Sequence, residues 1–511
     1  MPAPAERPNR WRAVSILVAL GLFTLLSLPF VEYLTDDTFI FLRYARHFAQ
    51  GLGLAFNPGE PTYGFTSVLW VWLLAPAFKL GISPIGWAKA LALGLALAAI
   101  LGFGAWARRR LSPIVAAAAM VAFAANGWLV RWTAAAMETA LVLALITWGL
   151  WRTAVEAEEP ERRPLAALIF AVGVLARPEV ALLLVLTLAT DLVRGRLTRA
   201  VAGAVVAGIV IGPWLGYAHA TFGHVLPDTA AAKGRLALSG LDLDPLLDIG
   251  KGLAATSVAE LLWLLVGVGA GWRLLRASVP SPLEDPETRS TVLAHAVPLL
   301  WLLGLPLAYV LAGFDVLSRY VLLLTPVVVL YGFLTFDRLA GRSARGQRRA
   351  LKLAGFVLAQ NILLLARVVY PHTHAFSRGV EDCLGGLGRY CAEHTPPGSQ
   401  VAIADIGAFG YYADRPVLDL AGLVSPAMIP IVNQHPIEDI ARDLLYAEVA
   451  RPDYLVDRAP EPERLAGGPG GVFEPLTSCR VEGLGVRAPA PIAYTLYRVH
   501  WDRWSGAAAA R

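Results

Sequence analysis

The chain has 511 residues, 56% hydrophobic and 16% charged, with a formal net charge of +5. A soluble globular protein carries about 25% charged residues, so a bilayer must stand in for a polar surface over much of this chain. The Arg excess falls between apolar segments rather than in a basic patch interleaved with aromatics, which argues against a nucleic-acid partner.

From Val14 to Tyr370 apolar stretches alternate with short polar breaks; from Pro371 to Arg511 the composition is that of an ordinary globular domain. The sequence therefore predicts a membrane domain over 1–370 and a soluble α/β domain over 371–511. A spanning helix needs about 20 apolar residues, and about eleven segments are read as spans: 14–34, 85–107, 111–130, 135–152, 164–176, 178–193, 200–219, 252–273, 291–312, 319–336 and 351–370. The first follows Arg7, Arg10 and Arg12 and has no small-residue cleavage site near Pro29–Tyr33, so it is read as a retained helix. Breaks rich in Arg (108–110, 152–163, 194–199, 273–289, 338–352) alternate with breaks holding isolated charges such as Arg131, Arg177 and Arg319. Basic loops stay in the cytoplasm, which puts the N-terminus inside and the C-terminal domain outside. The Ala-, Arg- and Gly-heavy usage fits a GC-rich bacterial genome, and so a bacterial inner membrane with a periplasmic C-terminal domain. The short apolar segment Thr66–Leu80, with Pro76, is read as interfacial or re-entrant. Segments 164–176 and 178–193 are either two half-length helices meeting near Arg177 or one kinked span.

The long outer loop over 32–84 holds the densest polar pattern. Thr35, Asp36 and Asp37 precede a helix expected over Thr38–Gln50, with Arg43, Arg46, His47 and Gln50 at i, i+3, i+4 and i+7 on one face. Gly51 stops it, Asn57-Pro58-Gly59-Glu60 turns, and the helix is expected to lie in the membrane surface. Helix capping would explain one carboxylate at its start; two at the exit of a span, where charge is costly, point to chemistry. Adjacent carboxylates cannot flank a glycosidic bond as a hydrolase pair does, so a single base with a helper fits better, Asp36 being the first choice.

Further along, Arg177-Pro178-Glu179 is either a self-satisfied turn or an outer-face cluster facing a cavity, and Glu138 opens a helix on the same face. Lys233 and Arg235 are cations suited to a phosphate. His224 reads as loop structure before catalyst, and Arg319 as a snorkelling residue or a phosphate ligand. No Walker A, HExxH or CxxC spacing occurs. No cofactor is expected, and a divalent metal joining Asp36 and Asp37 stays open.

The stretch DDTFIFLRYARHFAQGLGLAFNPGEPTYGFTSVLW resembles the first outer loop of bacterial GT-C glycosyltransferases, most closely the mycobacterial terminal arabinofuranosyltransferase family. AAMETALVLAL, VLARPEVALLL, FGHVLPDTAAAKG, SRYVLLLTP and VAIADIGAFGYYADRPVLDLAGL follow in the same order, so the likeness covers about residues 30 to 430. The resemblance implies a GT-C fold, a polyprenyl-phosphate sugar donor, a cell-envelope glycan or lipid acceptor and inverting transfer at the outer membrane face. It makes Asp36 and Asp37 the catalytic acids and Lys233 the first donor-phosphate ligand. Arg177 and Arg319 come second, with Glu179, Arg43 and His224 around the substrate. Asp228, Ala230 and Ala231 depart from the family pattern and leave the donor sugar open. A flippase or transporter for lipid-linked sugars is the competing reading.

In the tail, a helix over about 378–394 leads into VAIAD as one strand, and PDYLVD near 452–457 forms another. The DIG and DLAG pieces read as strand-end turns. Cys383 and Cys391 would sit about 12 Å apart on one helix, too far to bridge. A pair with Cys479 or three free thiols remain.

Overall fold

The computed structural model describes residues 8–159, 161–228, 243–277, 286–340, 343–466, 469–482 and 490–504. Each of the eleven apolar segments overlaps helix, with 111–130 and 319–336 each broken into two helices. Among the described residues, seven helices are long and apolar enough to cross a membrane. The count becomes eight if Pro113–Ala124 and Gly127–Ala134, bent by 46° at Asn126, make one span. The protein is a multi-pass membrane protein.

Local chemistry sets the helix ends. Pro84–Arg110 starts where the Ser83 hydroxyl accepts the Gly86 N–H and Pro84 takes the first turn; it ends on Arg108–Arg110, cations matched to the helix dipole. Leu165–Ala176 and Ala181–Val193 are separate helices packed on each other, joined through Pro178–Val180, with Arg177 at the tip of the hairpin. Val68–Leu80 is a 13-residue helix packed on the first-loop helix with six residues buried, short of a full span.

Among the described residues, Arg-rich breaks meet one another at one end of the bundle. Arg109 meets Glu158 at 2.6 Å; Arg199 pairs with Asp191 at 3.1 Å and with Glu156; Ser112 bonds Asp337 through both its N–H and its hydroxyl. Asp37, Glu138, Arg177 and Arg319 meet at the other end, beside the soluble domain.

That domain grows out of the bundle without a linker. Residues Ala344–His394 form one helical run of 51 residues, with π-helical turns at Leu365–Val369 and Gly379–Leu384, so the junction expected at 370 falls inside a helix. Behind it lies a mixed five-stranded sheet of β3 (Val401–Ile403), β4 (Val417–Asp419), β5 (Tyr454–Ala459), β6 (Phe473–Val481) and β7 (Ile492–Val499), in the order β4-β3-β5-β7-β6. Strands β3, β4 and β5 run parallel, and β7 pairs antiparallel with both β5 and β6. The remaining strands, β1 (Ala55–Asn57) and β2 (Glu60–Pro61), form the hairpin of the first loop. Cys383 is bonded to Cys479, tying the long helix to β6, while Cys391 is buried and free.

One expectation is corrected. The first-loop helix, Asp36–Ala49, does not lie in the membrane surface: nine of its 14 residues are buried, Arg43 and His47 among them. Of its polar face, Arg43 and Arg46 meet the soluble domain, His47 bonds to Ala55 O within the loop, and Gln50 is exposed.

The bridge closes a loop across 96 positions, so Cys383→Ser is expected to cost about 2–4 kcal/mol, read as a lower apparent thermal midpoint. An unchanged midpoint, with and without reductant, would count against the bond.

Candidate functional site

The first-loop helix is held on three sides. Thr38 Oγ1 donates to the Ala135 carbonyl at 2.7 Å, fixing the turn at Ala136, whose φ of 56° is unusual for a residue with a side chain. On the domain side, the Gly407 and Ala408 N–H groups each donate at 2.8 Å to one carboxylate oxygen of Asp36. A Cβ on Gly407 would lie 2.0 Å from the Asp36 carbonyl oxygen, so only glycine fits there. Arg43 is an architectural residue: Nε donates to Phe56 O and Nη2 to Arg415 O, both at 2.8 Å, and Nη1 donates to Gly410 O. Arg46 pairs with Asp414 at 2.9 Å. Asn57 exchanges two hydrogen bonds with the Val417 backbone on β4. Asp36 therefore grips the N-terminus of the Gly407–Ala413 helix rather than capping its own.

Asp37 points elsewhere. Its carboxylate accepts from Arg319 Nη1 at 2.8 Å. Both residues line two cavities, one of about 200 Å³ and one of about 670 Å³, and form the partition between them. Arg319 is buried, its guanidinium stacked over the Trp132 and Tyr320 rings, which is more than snorkelling.

The smaller cavity has an ionic wall. Arg177 Nη1 donates to Glu138 at 3.0 Å and Nη2 to Glu179 at 2.7 Å, with the Tyr320 ring 4.8 Å from the guanidinium carbon. Tyr309 reaches Glu179 at 3.5 Å. The turn pair and the cavity-facing cluster are thus the same object. Glu138 Oε2 and Arg319 Nε, on two residues that line this cavity, are buried without hydrogen-bond partners among the described residues. Apolar side chains, including Phe41, Phe65, Leu226 and Phe314, complete the wall.

His224 is tied into its loop. Nε2 is 3.1 Å from Asp228, Nδ1 contacts Leu226 O at 2.7 Å, and Asp228 exchanges hydrogen bonds with the Tyr63 backbone. The loop brings Leu226 and Pro227, not His224, to the cavity. Lys233 and Arg235 lie outside the described residues. Of the predicted set, the structure brings together Asp37, Arg177, Glu179 and Arg319, sets Asp36 against the soluble domain, and leaves Arg43 and His224 outside both cavities. Sequence reasoning missed Tyr309, Tyr320, Lys251, Tyr494 and the site role of Arg131; Tyr320 lies beside Arg319 in the SRYVLLLTP stretch, whereas the others belong to no motif and only the fold collects them. Among the described residues no group of three or more His, Cys, Asp or Glu could hold a metal ion, and Asp36 and Asp37 are engaged by different partners.

The same architecture occurs in solved proteins. ArnT from Cupriavidus metallidurans, in a structure bound to undecaprenyl phosphate, is 15% identical, with 95% of this chain and 98% of that chain covered and a TM-score of 0.53. The Archaeoglobus fulgidus oligosaccharyltransferase in its apo form is 14% identical, with 89% and 70% covered and a TM-score of 0.56. Its complex with Zn and sulfate gives 13%, 87%, 67% and 0.55. The chain has the GT-C fold. Residues 375–505 match a family described as "Domain of unknown function (DUF8728)". No curated protein matches the sequence.

Burial and the nearby Asp405 carboxylate push Asp36 up from the usual 3.8 to about 7, against the pull of the two N–H donors. The folded chain holds this proton where the unfolded chain has released it, so the stability Asp36 contributes is present below the ordinary carboxylate range and lost as pH rises toward 7. The apparent thermal midpoint of the wild type should fall between about pH 5 and pH 7 through this group, and Asp36→Asn should flatten that part of the slope. An unaltered slope in the variant would assign it to other groups.

Proposed function

We propose that the protein is an inverting glycosyltransferase that moves a sugar from a polyprenyl-phosphate donor to a hydroxyl of a cell-envelope glycan or lipid. The site is assigned to the outer face of a bacterial inner membrane, with the N-terminus cytoplasmic and the 371–511 domain periplasmic. The observation that carries this reading is the Asp37–Arg319 pair standing between two cavities. A group-transfer site needs two substrates meeting at one base.

The smaller cavity suits the donor: its apolar wall can take the first isoprenoid units, and Arg177 and Arg319 line it as cations suited to a phosphate. Asp37, rather than Asp36, is the proposed base, because both oxygens of Asp36 are occupied by backbone N–H groups. Asp37 takes the proton from the acceptor hydroxyl as its oxygen attacks the anomeric carbon from the face opposite the phosphate. The carbon–oxygen bond to phosphate breaks, and the polyprenyl phosphate leaves with the electron pair. A phosphate monoester is a stable anion, so no general acid is required. The fold shared with ArnT supports this class of chemistry, and the first-loop resemblance makes arabinofuranose the first donor sugar to try.

Purified protein in detergent, given radiolabelled polyprenyl-phosphate sugars and a cell-envelope acceptor fraction, should transfer sugar. Asp37→Asn should lower kcat by about 10²- to 10⁴-fold with the fold intact. Asp36→Asn should act mainly through stability. Full transfer by the Asp37 variant would overturn the site; full loss only in the Asp36 variant would return the base to Asp36.

A further inference from the structure

The turn Asp405-Ile406-Gly407 does two things. Its glycine grips Asp36, while its aspartate, with Tyr494, lines the larger cavity. The Tyr494 hydroxyl donates to Asp405 Oδ2 at 2.8 Å, and Arg458 Nη1 donates to the same oxygen at 3.3 Å. Oδ1 has no partner among the described residues, and the side chain is 28% exposed. A carboxylate with one oxygen fixed and the other open to a cavity is a preset acceptor.

The rest of the cavity narrows the ligand class. Asp37 is balanced by Arg319, Asp36 by two N–H groups, and Lys251 stands 3.6 Å from Asp248. The lining thus favours neither a polyanion nor a cation. The Arg131 guanidinium lies over the Tyr33 and Trp132 rings, and the membrane side is apolar through Val321, Leu364 and Val368. About 670 Å³ accommodates a small molecule of a few rings.

We propose that this cavity is the acceptor subsite, and that Asp405 and Tyr494 select a neutral, hydroxyl-rich acceptor: the sugar end of a glycan with an apolar anchor toward the helices. This rests on the glycosyltransferase reading of Asp37. Asp405 Oδ1 accepts from one ring hydroxyl, and the Tyr494 oxygen, already donating to Oδ2, accepts from another. Asp405 moves no proton; it sets which hydroxyl is presented to Asp37.

The test is equilibrium binding of octyl furanosides and octyl pyranosides to the full chain in lipid nanodiscs, with octyl phosphate and octylamine alongside. At least one glycoside should bind more tightly than either charged probe. Asp405→Asn should weaken it about tenfold or more, the scale of one hydrogen bond to a charged group, and Tyr494→Phe by less. Arg442→Met, whose partners Asp439 and Asp443 line no part of the cavity, should leave affinity unchanged. Binding of no glycoside, tighter binding of a charged probe, unchanged affinity in Asp405→Asn, or equal loss in Arg442→Met would each overturn the proposal. None of these readouts needs turnover: transfer that survives Asp37→Asn overturns the base assignment, whereas failed glycoside binding overturns the subsite, so the two failures are told apart.

Discussion

The arrangement depends on one contact between the two parts of the chain: the Asp36 carboxylate held by the Gly407 and Ala408 N–H groups. A buried carboxyl group that accepts two backbone N–H groups makes a directional contact and leaves neither donor unpaired. It fixes the first-loop helix against the soluble domain and so decides where the next residue points. With Asp36 committed, Asp37 is turned toward Arg319 and the cavities. Arg43 and Asn57 extend the clamp along the loop, spending their polar groups on backbone of the other domain. The disulfide between Cys383 and Cys479 fixes the far side of the domain to the helix that carries it.

Charges at the edge of a bilayer are costly unless paired, and the site is built from pairs. Arg177 lies between Glu138 and Glu179, and Arg319 between Asp37 and two aromatic faces. Such pairing holds the groups in place before substrate arrives, the condition under which fixed charges act on a transition state without reorganisation. The pairing is incomplete where chemistry is proposed: among the described residues Glu138 Oε2, Arg319 Nε and Asp405 Oδ1 have no hydrogen-bond partner.

Much of this was legible in the sequence. The apolar segments, their alternating charge, the place of the soluble domain and the acidic pair are local signals, and the resemblance of the first loop pointed to the fold. The tail was legible in part. Its first helix, VAIAD and PDYLVD were found, but β4, β6 and β7 were not, because short strands in a mixed sheet carry little periodicity of their own. DLAG is a turn, with Asp419 accepting the Ala421 and Val424 N–H groups. DIG is a turn as well, but one that reaches across to Asp36. The first-loop helix was misplaced because an amphipathic pattern states that one face is polar, not what meets it.

The sequence by itself determined that the chain crosses a membrane many times and which charged residues stand next to apolar segments, where charge is expensive. These follow from composition and spacing along the chain, which need no partner to be read. Only the tertiary structure decided that Arg43 is a clamp, that Asp36 and Asp37 have different partners, and that Tyr309, Tyr320 and Asp405 belong to the site. Those are contacts between residues tens to hundreds of positions apart, set by packing and backbone direction, and no local pattern encodes them.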